Sequence, residues 1–127
     1  MKLQPDRLEG ANMISGYDRA SVTVNGQAHA RSVLVPAQGD VLDWPCNRLE
    51  DLQAGHFEQV AALAPEVVIF GSGNRLRFPS AALLRPLLER GIGVETMDTQ
   101  AACRTYNILV SEGRSVVAAL LIEAAAA

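Results

Sequence analysis

Four apolar residues, Val67-Val68-Ile69-Phe70, run without a polar break into the turn Gly71-Ser72-Gly73-Asn74. Such a run, stopped by a glycine turn, is the pattern of a central strand covered on both faces. Pro79-Ser80 then opens a helix with Ser80 as N-cap and Gly91 as its C′ residue. Leu83, Leu84, Leu87 and Leu88 form its expected inward stripe, and Pro86 costs it a hydrogen bond and kinks it. A second strand follows from Ile92 to Met97. Short connections on either side of the helix predict that this strand lies parallel to Val67–Phe70 by a right-handed crossover. Asp98 or Thr99 caps a further helix, in which Ala101, Thr105, Ile108, Leu109 and Glu112 share one face and which Gly113 ends. Residues Val67 to Arg114 are therefore a βαβα unit that the rest of the chain must cover.

The remaining segments supply that cover. Asn12 to Tyr17 reads as a short strand. Asn25-Gly26 is the favoured pair for a two-residue type I′ turn, because both residues need positive φ. It predicts an antiparallel hairpin of Ala20–Val24 with Gln27–Val35. Val41 to Trp44 is an expected edge strand stopped by Pro45, and Cys46 to Gly55 a polar connection with one helical turn. Phe57, Val60, Ala61, Leu63 and Ala64 fall at helical spacing over His56–Ala64. Val116 to Ile122 is another continuous apolar run and hence another interior strand. The fold class is α/β: three layers, a mixed β-sheet flanked by helices, with an N-terminal antiparallel hairpin.

At 127 residues the chain is expected to be a single domain over 1–127. Residues 1–10 and 124–127 have nothing obvious to bury, and loose ends are expected there. No apolar run reaches the ~18 residues of a membrane span, so no integral membrane segment is expected. The first residues lack the apolar core of a signal peptide. A net charge of -3 argues against a nucleic-acid-binding face, which needs clustered Lys and Arg. Cys46 and Cys103, far apart, suit a reducing compartment better than a disulfide scaffold. A cytoplasmic globular domain is the expectation.

The assembled motifs resemble a known family. Phe70-Gly71-Ser72-Gly73, Gly91-Ile92-Gly93-Val94-Glu95-Thr96-Met97-Asp98-Thr99, Ala102-Cys103-Arg104-Thr105-Tyr106-Asn107-Ile108-Leu109 and Glu112-Gly113-Arg114 together look like the Mth-type domain of unknown function. Its members include the mitochondrial complex I assembly factor three and the adipogenesis-associated Mth-type protein. The resemblance covers nearly the whole chain and is most specific from Met97 to Arg114. It implies a three-layer fold around a mixed sheet, no established enzymatic activity, and action through protein partners. Without a presequence, this chain is similar to a bacterial member.

The turn at Gly71 lacks the third glycine of a dinucleotide fingerprint, since Leu76 stands there, and it lacks the Gly-Lys-Ser/Thr of a Walker loop. Phe70 and Asn74 flank Ser72 where a nucleophile elbow has glycines. A tight turn is one reading of Gly71, Ser72, Gly73 and Asn74; a backbone-amide anion pocket helped by Arg75 or Arg77 is the other. Asp98 and Thr99 stand at the C-terminal end of a parallel strand, the edge where open α/β sheets bind ligands. With Cys103 and Arg104 in the first turns of the next helix, they are expected to frame a ligand cleft against the glycine turn. Plain capping explains Asp98 and Thr99 equally, and Cys103 reads either as a reactive thiol or as a small buried hydrophobe. A Glu–Arg pair within Glu112-Gly113-Arg114 is expected to hold the helix exit, while Arg104, Asn107 and Ser111 line its solvated face. Trp44 is a candidate partner anchor if exposed, and otherwise packs under a loop. Two His and two Cys without paired spacing offer no metal set. No catalytic residue and no cofactor is assigned. The leading expectation is a non-catalytic interaction or assembly-factor-like protein; the alternative is a small-anion binder or enzyme using the Gly71–Asn74/Asp98–Arg104 cleft.

Overall fold

A computed structural model describes residues 10–123; of the loose ends expected at 1–10 and 124–127, all but Gly10 lie outside that range. In order the elements are β1 (Ile14–Tyr17), β2 (Val22–Val24), β3 (Gln27–His29), β4 (Val33–Pro36), β5 (Leu42–Asp43), α1 (Ala54–Ala61), β6 (Val67–Gly71), α2 (Ala81–Leu88), β7 (Gly93–Met97), α3 (Thr99–Ser111) and β8 (Val116–Leu120). A single 3-10 turn, Leu49–Asp51, precedes α1. The strands form a three-stranded antiparallel sheet, β1-β2-β3, and a five-stranded mixed sheet, β5-β4-β8-β6-β7.

Alternation along the central strand fixes the layers. Val116, Ala118, Leu120 and Ile122 face a core shared with Ile69, Val33 and Val35, with Ala102, Cys103, Tyr106 and Val110 of α3, and with Ile14, Val22 and Val24 of the small sheet. Val117, Ala119 and Leu121 face the other way, into a core with Trp44, Phe57, Val60, Val68, Phe70 and Leu87 from α1, α2 and their connections. A period of two along a strand buried on both faces produces two such cores. The architecture is the expected three-layer α/β arrangement.

The Asn25-Gly26 turn adopts φ of 51° and 85°, as a type I′ turn requires. The hairpin it closes is shorter than expected. Its second strand stops at His29, and Val33–Pro36 crosses to the large sheet, where it pairs antiparallel with β8. Ser32 makes the transfer: its Oγ accepts from Ile122 N at 2.9 Å and its carbonyl accepts from Trp44 N at 3.0 Å. A fully apolar Val33-Leu34-Val35 needs two covered faces, which the small sheet does not provide. The strand Gln27–Val35 is thus two strands.

Helix details also differ from the sequence reading. In α2 Leu87 is buried, Leu83 and Leu84 are half-buried, and Leu88 is exposed, so the inward stripe is narrower. Ser80 precedes α2 without a side-chain cap bond. α1 starts earlier, at Ala54, and ends at Ala61; Ala64 takes a positive φ of 52° before Pro65. The buried face of α3 is Thr99, Ala102, Cys103, Tyr106 and Val110, not the face bearing Ile108, which is exposed. Arg114 pairs with Glu66 at 2.9 Å, tying the exit of α3 to the entry of β6 rather than to Glu112.

Candidate functional site

Three strand ends meet at one rim of the large sheet. β6 runs parallel to both β7 and β8, with Gly71 opposite Met97 on one side and Leu120 on the other. The chain therefore leaves Gly71, Met97 and Leu120 at the same edge, as the parallel crossover predicts. α2, which follows β6, and α3, which follows β7, pack in different cores, so the crevice outside β6 and β7 is the switch point of the sheet.

Thr99 fills that crevice. Its amide donates to Gly73 O at 2.9 Å, and its Oγ1 accepts from Gly73 N at 2.9 Å. The same hydroxyl donates to Leu121 O at 2.7 Å, so one buried side chain ties all three exits together. Ser72 N donates to Met97 O and Leu121 N to Gly71 O, at 2.8 and 3.0 Å. Gly71 is a glycine because of this approach: a Cβ there would stand 2.9 Å from the Thr99 backbone. The cleft expected between Gly71–Asn74 and Asp98–Arg104 is closed by these contacts. Gly71, Ser72 and Gly73 are buried. Ser72 donates its hydroxyl proton to Arg75 O at 2.7 Å and accepts from Arg77 N, which makes it a brace of the loop.

An anion does sit on the glycine loop, and it belongs to the chain. The Glu123 carboxylate accepts from Asn74 N at 3.0 Å and from the Arg77 guanidinium. Arg77 also donates to Ser72 O at 3.0 Å and lies 3.7 Å from Glu50. Partial burial pushes the Glu123 carboxyl up, but the Asn74 N–H and the Arg77 charge outweigh it and hold it below the usual range. This fulfils the charge logic of an amide-plus-arginine pocket with an internal occupant. Glu123 is anchored by a partner 46 residues away along the chain. Local pattern carried no signal for it; only the length of the β8 run, which delivers it to the rim, could have found it.

The other candidates are dispersed. Asp98 caps α3, its carboxylate accepting from Ala101 N at 2.9 Å. Cys103 is buried among apolar neighbours, and that burial raises its thiol to about 12, against the weaker opposing pull of Arg104. It is a small hydrophobe of the core, not a thiolate. Arg104 is exposed and engages Tyr17 of β1, donating to its hydroxyl at 3.0 Å with the guanidinium 6.0 Å from the ring centre. Trp44 is 1% exposed, so it is no surface anchor. Its ring meets Phe57 and Phe70 edge-on at 5.7 and 6.1 Å, and its Nε1 donates to His56 O. Asn107, assigned to the solvated face of α3, bonds instead to the backbone of Ile14.

A mixed sheet with helices on both faces, whose switch point is closed by its own threonine, defines a small three-layer α/β domain. The chain belongs to the family described as a protein of unknown function (DUF498/DUF598), which it matches over residues 14–121. It is 34% identical over 114 residues to the NADH dehydrogenase (ubiquinone) 1 alpha subcomplex assembly factor 3 of Bos taurus, covering 87% of this chain and 61% of that protein. This chain thus spans less than two thirds of that relative. A crystal structure of a Bordetella parapertussis protein is 43% identical, covers 90% of this chain and 98% of its own, and superposes with a TM-score of 0.85. The solution structure of a Bordetella pertussis protein described as a Mth938-like domain is 36% identical, covers 98% of this chain and 94% of its own, and gives a TM-score of 0.82. The resemblance read from the motifs is therefore a family membership. Among the described residues, no helix is long and apolar enough to cross a membrane.

Proposed function

We propose that this chain is a non-catalytic interaction protein of the bacterial cytoplasm that acts, like the assembly factors it resembles, by binding a protein partner. The observation that carries the reading is the 34% identity to a complex I assembly factor along 87% of the chain. The closed rim supports it. Where an open α/β sheet offers a ligand crevice, Thr99, Gly73 and Leu121 here satisfy one another, and the loop's anion position is taken by Glu123. Ser72 and Cys103, the candidate nucleophiles of the glycine turn and of α3, are both fully buried. Binding energy is then available for a surface rather than a reacting centre.

The test is affinity capture of the tagged chain from a native bacterial lysate, with quantitative mass spectrometry against a tag-only control. The expected result is one reproducible, near-stoichiometric protein, with respiratory-chain subunits the first class to examine. Repeated recovery of nothing above control would remove the reading.

A further inference from the structure

Beside the closed contacts of the rim, and sharing Asn74 and Glu123 with them, a cleft of about 940 Å³ opens between three segments: the bend at Arg19-Ala20, the Arg31-Ser32 approach to β4, and the Trp44–Asp51 connection. Its size falls within the range of small-molecule pockets, roughly 300–1,000 Å³. Buried Trp44 and Cys46 give it an apolar base, while Asn47 and Asn74 add neutral amide donors to the wall.

The charges on that wall do not all cancel locally. Arg48 pairs with Asp51 at 3.2 Å, and Glu123 is taken up by Arg77. Arg19 and Arg31 form no ion pair among the described residues, and only Asp43 is left to face them. Two uncommitted guanidiniums thus line one concavity in a chain whose net charge is -3. Both stand on fixed backbone. The Asp18 carboxylate accepts from Ala20 N at 2.8 Å and from Ser21 Oγ at 3.1 Å, which sets the bend carrying Arg19. Ser32, next to Arg31, is held through both its hydroxyl and its carbonyl.

We infer that this cleft is a binding site for a small multiply charged anion, carboxylate or phosphate in chemistry, gripped by Arg19 and Arg31. Guanidinium forks match both groups in bidentate geometry, and the buried base excludes water from beneath the ligand. Asn47 and Asn74 supply further donors. The site is independent of the partner-binding reading.

The experiment titrates citrate and inorganic phosphate, separately, into the wild-type chain and into the Arg19→Ala/Arg31→Ala double variant by calorimetry at physiological salt. Arg85→Ala, on α2 and outside the cleft, is the control for net charge. Saturable binding of either probe is expected, weakened about tenfold or more in the double variant and unchanged in the control. Citrate alone would mark a polycarboxylate ligand, and phosphate alone a phosphate-bearing one. The single variants Arg19→Gln and Arg31→Gln, each expected to weaken binding severalfold, guard against a folding defect in the double. Failure of both probes to bind overturns the inference; so does a double variant that binds like wild type, or a control that weakens equally.

Discussion

Asn107 bonds both main-chain groups of Ile14: its Oδ1 accepts from Ile14 N at 2.9 Å and its Nδ2 donates to Ile14 O at 2.8 Å. A side-chain amide here takes the place that a neighbouring strand would occupy beside β1. With the Arg104–Tyr17 hydrogen bond, it fastens α3 to the small sheet. The buried hydroxyl of Tyr106 lies 2.8 Å from Asn12 O, just ahead of β1, and 3.1 Å from Pro36 O of β4.

Replacing Asn107 by Leu keeps the size of the side chain and strands both groups of Ile14. A loss of about 1–3 kcal/mol in urea unfolding is expected, the cost of leaving part-buried backbone groups unpaired. Hydrogen exchange of the β1 and β2 amides should quicken more than that of β6. A variant as stable as wild type would show that the small sheet is held by apolar packing alone.

Gly71→Ala tests the closed rim. Its Cβ would meet Thr99 Cα and Oγ1 at 2.9 Å and a Leu120 methyl at 3.0 Å, and the Thr99 backbone cannot step aside without breaking its bonds to Gly73. Overpacking of this kind costs about 1–3 kcal/mol. The thermal midpoint should fall, whereas Gly55→Ala, where a Cβ meets nothing within 4 Å, should leave it in place or raise it.

Three buried acids, Cys46, Cys103 and Tyr106, make the fold sensitive to alkali. Burial raises the Cys103 thiol from 9.0 to about 12 and pushes the Tyr106 phenol up as well. The unfolded chain loses these protons first, so the native state binds more of them and stability must fall as pH rises above about 9. Below that pH the stabilisation is complete. Cys103→Ala should flatten the decline between pH 9 and 12, and in the native protein at pH 8 Cys103 should resist alkylation until urea is added. Rapid native labelling of Cys103 would contradict its burial.

Trp44 stands at the centre of an edge-to-face aromatic group with Phe57 and Phe70. Trp44→Ala should cost about 3–5 kcal/mol, as other large core truncations do. The native emission should be blue-shifted and barely quenched by iodide, since the ring is 1% exposed. Red-shifted, quenchable emission would return Trp44 to the surface.

What could be read from the residues alone was whatever depends on short-range pattern. The apolar runs at Val67 and Val116, the Asn25-Gly26 turn and the Asp98 cap each declare themselves within a few positions, and each stands in the structure. The errors lie where a distant partner decides. Gln27–Val35 divides because β8 recruits Val33–Pro36. The buried stripe of α3 was misplaced because Asn107 and Tyr106 are claimed by Ile14, Asn12 and Pro36, about 70 to 94 residues away. The rim was located correctly, but its closure was not: nothing near Thr99 announces that Leu121 will accept its proton.

The place of β8 also orders events during synthesis. β4 finds its inner neighbour on one side of residues 116–120, and β6 finds one of its two neighbours on the other. Until those residues have left the ribosome, Val33-Leu34-Val35 has no central strand to join, and its inner edge stays unpaired for about eighty residues of elongation. A chain so arranged completes its main sheet in one late step, and a nascent-chain holdase would find its strongest footing on that waiting segment.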